Sequence, residues 1–412
     1  MSPDAATPKR KTPASKGGPV HAPTGPFSPM TLGPLTLKNR MIKSATFEGA
    51  SPKGVVSDAL VAFHQRVAEG GAAMTTVAYL AISPDGRTDR HCVVLGEDAI
   101  PGLRRVTDAA HAGGAAASAQ IGHAGPVANA RSNRVPSLAP SRRFSAGGTI
   151  AHAVSDSDIA RITGEYRRSA QVAVEAGFDC IEVHLGHNYL LSAFLSPKLN
   201  RRNDQWGGNL SNRARFPRQV VEAVRDAVGD RAAVIAKVNM SDGVPGGFWL
   251  DESVEFARML EADGALDALV LTGGSSLSNP MYLFRGEAPR AEFAATLPPP
   301  MRLGFRAVGT RFMREYPFEE AYFLPYARQF RRALSMPLVL LGGINRLDTV
   351  EMALGEGFDG VAMARALLRE PDLVARWEHG EVAEGLCIHC NKCMPTIYSG
   401  TRCVLVSEGS PA

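Results

Sequence analysis

Glu175-Ala-Gly-Phe-Asp-Cys180-Ile-Glu-Val-His-Leu-Gly-His-Asn-Tyr189 holds in fifteen residues the unit from which the rest of the chain is built. An amphipathic segment, 157–176, ends at the turn Glu175, Ala176, Gly177. A short apolar run, 180–185, follows and finishes in His184, Leu185, Gly186, His187, Asn188 and Tyr189. Helix, glycine turn, short apolar run and polar end read as a helix feeding a buried strand whose far end is exposed to chemistry.

Outward from this stretch the unit recurs. Apolar runs of the same kind lie at 40–47, 72–80, 115–121, 180–185, 233–240, 268–272, 337–341 and 360–364, and amphipathic segments at 57–69, 101–112, 157–176, 212–228, 251–262 and 319–334. Ser157 and Asp251 read as helix caps. Strand and helix alternating throughout imply a parallel sheet with helices outside, and eight repeats close a single (β/α)8 TIM barrel of the α/β class. A doubly wound open sheet would need a Gly-rich turn between an early strand and its helix; the G-x-G-x-x-G at 355–360 leads into the last strand instead. The stretch 273–316 is too long for an ordinary strand-to-helix loop and reads as a lid or substrate-facing insertion.

The 412 residues, 45% hydrophobic, suffice for one barrel of about 250 residues with insertions, leaving little room for a second domain. A net charge of +4 argues against a nucleic-acid partner. Residues 1–25 are rich in Pro, Ala, Lys and Ser, carry Lys9, Arg10, Lys11 and Lys16, and contain no apolar run for a signal core or membrane span, so they read as a disordered tail. Of six cysteines, Cys92 and Cys180 stand apart and four crowd between Cys387 and Cys403, a usage suited to a reducing cytoplasm. The expected organisation is a tail at 1–25, a barrel at 26–380 and a Cys-rich extension at 381–412, in a cytoplasmic, homo-oligomeric enzyme.

Barrel chemistry sits on the carboxyl ends of the strands. There the third run carries Gln120 and His123, the fourth His184, His187 and Tyr189, the fifth Lys237, the seventh Gly342 and Gly343, and the eighth Arg365. Glycines ending strand seven let backbone N–H groups approach an anion, and Arg365 would complete a phosphate cup; read blandly, the glycines turn the chain and Arg365 caps a helix. Two histidines three apart can converge on one oxygen. They could also ligate a metal, with His123 as the one visible third ligand, or form a satisfied structural pair.

The segment His184-Leu-Gly-His-Asn-Tyr-Leu-Leu-Ser-Ala-Phe-Leu-Ser-Pro-Lys-Leu-Asn-Arg-Arg-Asn-Asp-Gln-Trp-Gly-Gly-Asn-Leu-Ser-Asn-Arg-Ala-Arg215 closely resembles the signature of the Old Yellow Enzyme family. Leu37-Lys-Asn-Arg40, Gln120-Ile-Gly-His-Ala-Gly125, Gly360-Val-Ala-Met-Ala-Arg365 and Leu367-Leu-Arg-Glu-Pro371 support it, in the right order, over roughly 26–377. The resemblance implies an FMN-dependent ene-reductase: NADH or NADPH reduces the flavin, leaves, and an electrophilic alkene takes the hydride in the same pocket. It implies that Gln120 bonds the flavin pyrimidine edge, that Lys237 stands near N1 and the C2 carbonyl, and that Gly342, Gly343, Ala364 and Arg365 hold the phosphate. His184 and His187 would donate to a substrate oxygen and Tyr189 would deliver a proton. This sequence departs from the pattern at Asn188, usually Gly; at Pro126, usually a cation; and at Phe47, where a Thr, Cys or His usually approaches the flavin carbonyl: either Thr46 beside it takes the role through a local shift, or the flavin lacks that contact.

Cys387-Ile-His-Cys390-Asn-Lys-Cys393, with Cys403 ten residues on, resembles the iron–sulfur run found after the barrel in larger multidomain relatives that reduce dienoyl-CoA or dehydrogenate amines. The spacing is shorter than theirs, and the sequence ends at Ala412 where they continue into nucleotide-binding domains. The expectation is no bound metal and four reduced thiols hooking the barrel bottom shut, with a cluster or zinc as alternatives. Two rival functions follow: an iron–sulfur flavoprotein of that type, and a flavin-binding partner subunit that does not turn over. Intact His184, His187 and Tyr189 argue against the second.

Overall fold

The computed structural model describes residues 25–144 and 149–406; apart from Gly25, the expected N-terminal tail lies outside the described residues. Eight parallel strands form a closed barrel: β1 (Met41–Lys43), β2 (Met74–Ala81), β3 (Ala116–Gly122), β4 (Cys180–Leu185), β5 (Ala233–Asn239), β6 (Ala268–Thr272), β7 (Leu338–Leu341) and β8 (Gly360–Met363). Each pairs with the next in chain order. β8 closes on β1 with Val361 beside Met41, Ala362 beside Ile42 and Met363 beside Lys43. Every residue of β2, β4 and β5 is buried, because helices cover the outside and side chains fill the inside; the strands therefore read as continuous apolar runs.

The covering helices are α1 (Asp58–Glu69), α2 (Ile100–Ala112), α3 (Asp156–Glu175), α4 (Leu210–Val228), α5 (Leu250–Asp263), α6 (Leu324–Ala333) and α7 (Leu347–Gly355). Two caps differ from expectation. α3 is capped by Ser155, whose side chain accepts from the Asp158 amide while Asp158 accepts in return from the Ser155 amide. This reciprocal pair outcompetes a cap at Ser157. α5 starts after Trp249, with Asp251 inside its first turn, where a negative charge favours the helix dipole.

β1 is shorter than the apolar run that announces it. Lys43 Nζ donates to the Ser44 carbonyl at 2.7 Å and to Thr46 Oγ1 at 3.0 Å, so residues 44–46 fold onto a buried ammonium instead of continuing the ladder. The insertion after β6 is helical: Pro280–Phe284, Arg290–Thr296 and Pro299–Phe312.

The Cys-rich segment lies at the opposite end of the barrel from the one expected. The bottom is closed by an N-terminal hairpin, Met30–Leu32 with Leu35–Leu37, packed where β6 and β8 begin. Residues 385–401 instead cross the carboxyl ends: Asn345 Nδ2 donates to the Gly385 carbonyl at 2.8 Å, Asn391 Nδ2 to Glu287 O at 2.9 Å, and the Thr401 amide to Glu48 O at 2.7 Å. Gly49, at φ +61°, sits against the Ile397 carbonyl, where a Cβ could not fit.

Candidate active site

Successive strand residues face opposite ways, so Glu182 and His184 of β4 share the inner face. The register sets Glu182 beside Gln120 of β3 and His184 beside Lys237 of β5. Glu182 Oε1 accepts from Gln120 Nε2 at 2.6 Å and from Lys237 Nζ at 2.9 Å; the ammonium also reaches Ser44 Oγ at 3.2 Å. All four are buried. The two polar side chains expected at a flavin's pyrimidine end are thus anchored by one carboxylate that sequence reading passed over. Its signal was available: a charge inside the apolar run Cys180-Ile-Glu-Val183.

A second buried charge was likewise missed. Lys43 faces Glu48 through Thr46, whose Oγ1 is 3.4 Å from Glu48 Oε1, and Glu48 Oε2 accepts from the Ala78 amide at 3.0 Å. Burial drives the Lys43 pKa down and the Glu48 pKa up, each opposed by attraction to the other. Thr46 is therefore engaged with Lys43. Phe47 beside it is half-buried, and its carbonyl accepts from the Thr401 hydroxyl.

His184, His187 and Tyr189 come together as the spacing implies. The His184 ring centre lies 5.0 Å from that of His187 and 4.6 Å from that of Tyr189, which meets Tyr79 edge-on at 5.3 Å. His187 and Asn188 have φ of +59° and +60°. That left-handed turn explains the residue standing where the family pattern has Gly, since Asn tolerates the region best among residues with a side chain. Asn239 Oδ1 accepts from the His187 amide at 3.0 Å, and His187 Nε2 lies 3.1 Å from Thr272 Oγ1. Burial, then the charges of His187 and Lys237, hold His184 well below its usual pKa; burial and Lys237 hold His187 at about 3. Both rings are therefore neutral near pH 7. His184 Nδ1 is buried with no partner among the described residues.

His123 turns elsewhere: its Nδ1 accepts from the Gly125 amide at 3.0 Å and its Nε2 lies 3.6 Å from Asp85. Pro126 is the middle residue of the turn Gly125–Val127. Among the described residues no three His, Cys, Asp or Glu side chains are grouped to hold a metal ion.

Across the mouth, Gly342 and Gly343 end β7 at φ +113° and +77°, backbone that side chains resist. Ala364 and Arg365 end β8, and Arg365 donates to the Arg285 carbonyl at 2.9 Å and to Asn391 Oδ1. Among the described residues no carboxylate pairs with Arg365. A positive-φ glycine turn beside an unneutralised guanidinium suits a phosphate; Gln120, Lys237 and the orphaned His184 nitrogen suit a polar heteroaromatic ring and a small acceptor. The residues present fit FMN.

Cys387, Cys390, Cys393 and Cys403 line one small cleft with Arg365 and His389. Burial raises Cys387 and pushes Cys393 up to about 12. All four are free thiols, brought to one place by a segment that runs from 387 to 403.

A closed barrel with a histidine pair and a positive-φ glycine turn at its strand ends suits a flavin oxidoreductase. Residues 26–272 match the NADH:flavin oxidoreductase / NADH oxidase family, and the chain belongs to it. It is similar to a 4,4'-dithiodibutanoate disulfide reductase of Rhodococcus erythropolis, 61% identical over 92% of this chain and 94% of the relative. It is also similar to a multifunctional alkene reductase/demethylase OYE of Caballeronia cordobensis, 30% identical over 89% of this chain but 51% of that protein, of which it spans about half. Among solved structures, morphinone reductase in complex with tetrahydroNAD is 26% identical with a TM-score of 0.66, over 88% of this chain and 92% of that one.

Proposed function

We propose that this chain uses FMN, reduced by NADH or NADPH, to reduce small electrophilic acceptors held against His184, His187 and Tyr189, a carboxylated organic disulfide first and an activated alkene second. The observation that carries the reading is the pair of neutral, buried imidazoles beside a tyrosine at the end of β4. The extensive identity to a disulfide reductase favours that acceptor.

Reduced FMN supplies hydride. For an enone, His184 and His187 donate N–H bonds to the carbonyl oxygen, drawing electron density away as the β-carbon receives hydride, and Tyr189 protonates the α-carbon. For a disulfide, hydride on one sulfur breaks the S–S bond. The other sulfur leaves as a thiolate, which the imidazole N–H groups stabilise and Tyr189 protonates, the tyrosine regaining its proton from solvent. Two thiols form per nicotinamide oxidised. Glu182 holds Gln120 and Lys237 in place for both halves of the cycle.

The test is anaerobic. Flavin in the purified protein is reduced with NADH or NADPH and then mixed with 4,4'-dithiodibutanoate or cyclohexenone. Reoxidation with two thiols released per nicotinamide supports the reading. A flavin that stays reduced with both acceptors points to the non-catalytic partner subunit.

The gathering of Cys387, Cys390, Cys393 and Cys403 at one cleft beside Arg365 favours a second reading, an iron–sulfur flavoprotein. A cluster would carry single electrons, and its metal charge would keep as thiolates the sulfurs that burial otherwise protonates. Iron and sulfide near four of each per chain in anaerobically prepared protein would establish it, and recovery of all six cysteines as free thiols with neither iron nor zinc would remove it.

A further inference from the structure

Arg285 lies in the insertion after β6, outside every motif in the sequence. Its guanidinium carbon stands 5.0 Å from the ring centre of Tyr322, 5.4 Å from Tyr282, 5.8 Å from Phe323 and 6.0 Å from Tyr316. Four aromatic rings steady the cation but accept no strong hydrogen bond from it. Its Nε is buried without a partner, and among the described residues no carboxylate pairs with it. A buried guanidinium N–H left unmade is costly, and a planar fork held rigid between rings is suited to an oxyanion.

The cage also fixes where that anion would sit. Tyr322 and Phe323 lie directly on the β7 glycine turn: a Cβ on Gly342 would stand 2.5 Å from Phe323 and 2.9 Å from Tyr322, and one on Gly343 would stand 2.6 Å from Tyr322. Arg365 is tied to the same segment, bonding the Arg285 main-chain carbonyl at 2.9 Å, and its side chain also bonds the Tyr322 hydroxyl. Burial raises the Tyr322 hydroxyl pKa against the pull of both Arg365 and Arg285, so the two cations act on one spot. Three separate segments, the β7 turn, the β8 end and the β6 insertion, thus bring two unneutralised guanidiniums and a run of left-handed glycines together.

We propose that Arg285 is, with Arg365, a second cation of the phosphate seat, oriented for it by its aromatic cage. The proposal rests on the flavin reading above. A phosphomonoester carries close to two charges at neutral pH, which one arginine does not balance and two do.

Apoprotein of wild type, Arg285→Met and Arg285→Lys is titrated with FMN and with riboflavin, following quenching of flavin fluorescence. Arg285→Met should weaken FMN on the order of 10- to 100-fold while riboflavin changes by less than about 3-fold, and Arg285→Lys should recover part of the loss. Equal weakening of both flavins would mean that the cage serves only the fold and would overturn the proposal. So would unchanged FMN affinity with a raised KM for a carboxylated disulfide, which would give the cation to the acceptor. Should Arg285→Met fail to fold, Arg285→Lys decides: it keeps the charge without the fork, and a drop in the FMN-to-riboflavin affinity ratio is expected, an unchanged ratio being contrary. Wild-type protein that binds neither flavin removes the flavin reading and this proposal with it, a result distinct from loss of discrimination in the variants.

Discussion

At the β3–β5 side of the barrel mouth the ammonium of Lys237 is neutralised by Glu182, which also fixes Gln120; across the mouth Arg285 and Arg365 pair with no carboxylate among the described residues. One side carries its own counter-charge within the fold. The other, on the reading proposed, takes its counter-charge from a bound phosphate. A group that binds at the second side therefore adds folding free energy by mass action, whereas the first side holds its geometry with or without a ligand. The division matches the chemistry proposed: an acceptor that comes and goes meets a pre-formed face, and a resident phosphate meets a seat that it helps to hold.

The deepest break in this comparison comes from removing the donors on the pre-formed side. Tyr189→Phe should slow reoxidation of reduced enzyme by an alkene roughly 10²- to 10⁴-fold, about 3 to 5 kcal/mol of barrier, while reduction by NAD(P)H is little changed. His184→Ala and His187→Ala should likewise bind enones and phenol-type ligands poorly. Stopped-flow measurement of the two half-reactions separates the steps; equal slowing of enone and quinone reduction in Tyr189→Phe would contradict the proton-donor role, because quinones are protonated on oxygen by solvent.

Next in size is the buried pair itself. Glu182→Ala leaves Lys237 buried without a counter-charge and should cost about 3 to 5 kcal/mol of stability, whereas replacing both, Glu182→Met with Lys237→Met, should recover much of it and still not restore flavin binding. Urea unfolding of the apoproteins reads this directly. A Glu182→Ala apoprotein as stable as wild type would erase the contrast between the two sides.

Arg365→Ala should behave in the opposite sense. With no ion pair to break, the apoprotein should unfold at nearly the wild-type midpoint, while FMN binding weakens by about 1.5 to 3 kcal/mol. A loss of apoprotein stability without loss of affinity would make Arg365 a structural residue, bonded to Arg285 and Asn391 for the sake of the loops they hold.

The two sides were also unequally legible in the sequence. The eight runs are strands because each is apolar along its whole length, and a helix or glycine turn marks where each begins; their ends shift by a residue or two, and β1 by more. His184, His187 and Tyr189 cluster as read because they share one strand end, where spacing alone fixes proximity. Glu182, Lys43 and Arg285 were missed for one common reason. Each acts through residues distant in the chain, and a single charge in an apolar run or an insertion reveals its partner only when the barrel closes. The Cys-rich segment was placed at the wrong end because nothing in its own residues says which loops it crosses; the contacts through Gly49, Asn345 and Glu287 decide that.

The smallest effect expected is one of pH, and it too belongs to the pre-formed side. His187 and His64 are held at about 3 and His184 well below its usual value, all chiefly by burial, so in the folded protein these rings are neutral through the physiological range. In the unfolded chain they protonate near 6.5. Between those values the unfolded state binds more protons, so stability rises with pH through that window, is flat above it, and is lost as pH falls from about 6.5 toward 3. From pH 7 to pH 6 each such histidine should cost about 0.7 kcal/mol. His64 is the cleanest probe, since it faces Thr75 and Glu48 and lies apart from the acceptor face. His64→Asn should remove its own share of the slope, measured as urea unfolding free energies at pH 7, 6.5 and 6, and leave the remainder to His184 and His187. The same neutrality predicts that kcat/KM for the acceptor shows no inflection near pH 6.5. A rate that falls as the histidines gain or lose a proton in that range would mean that one of them is charged at rest, and the neutral-donor role proposed for the pair would have to be given up.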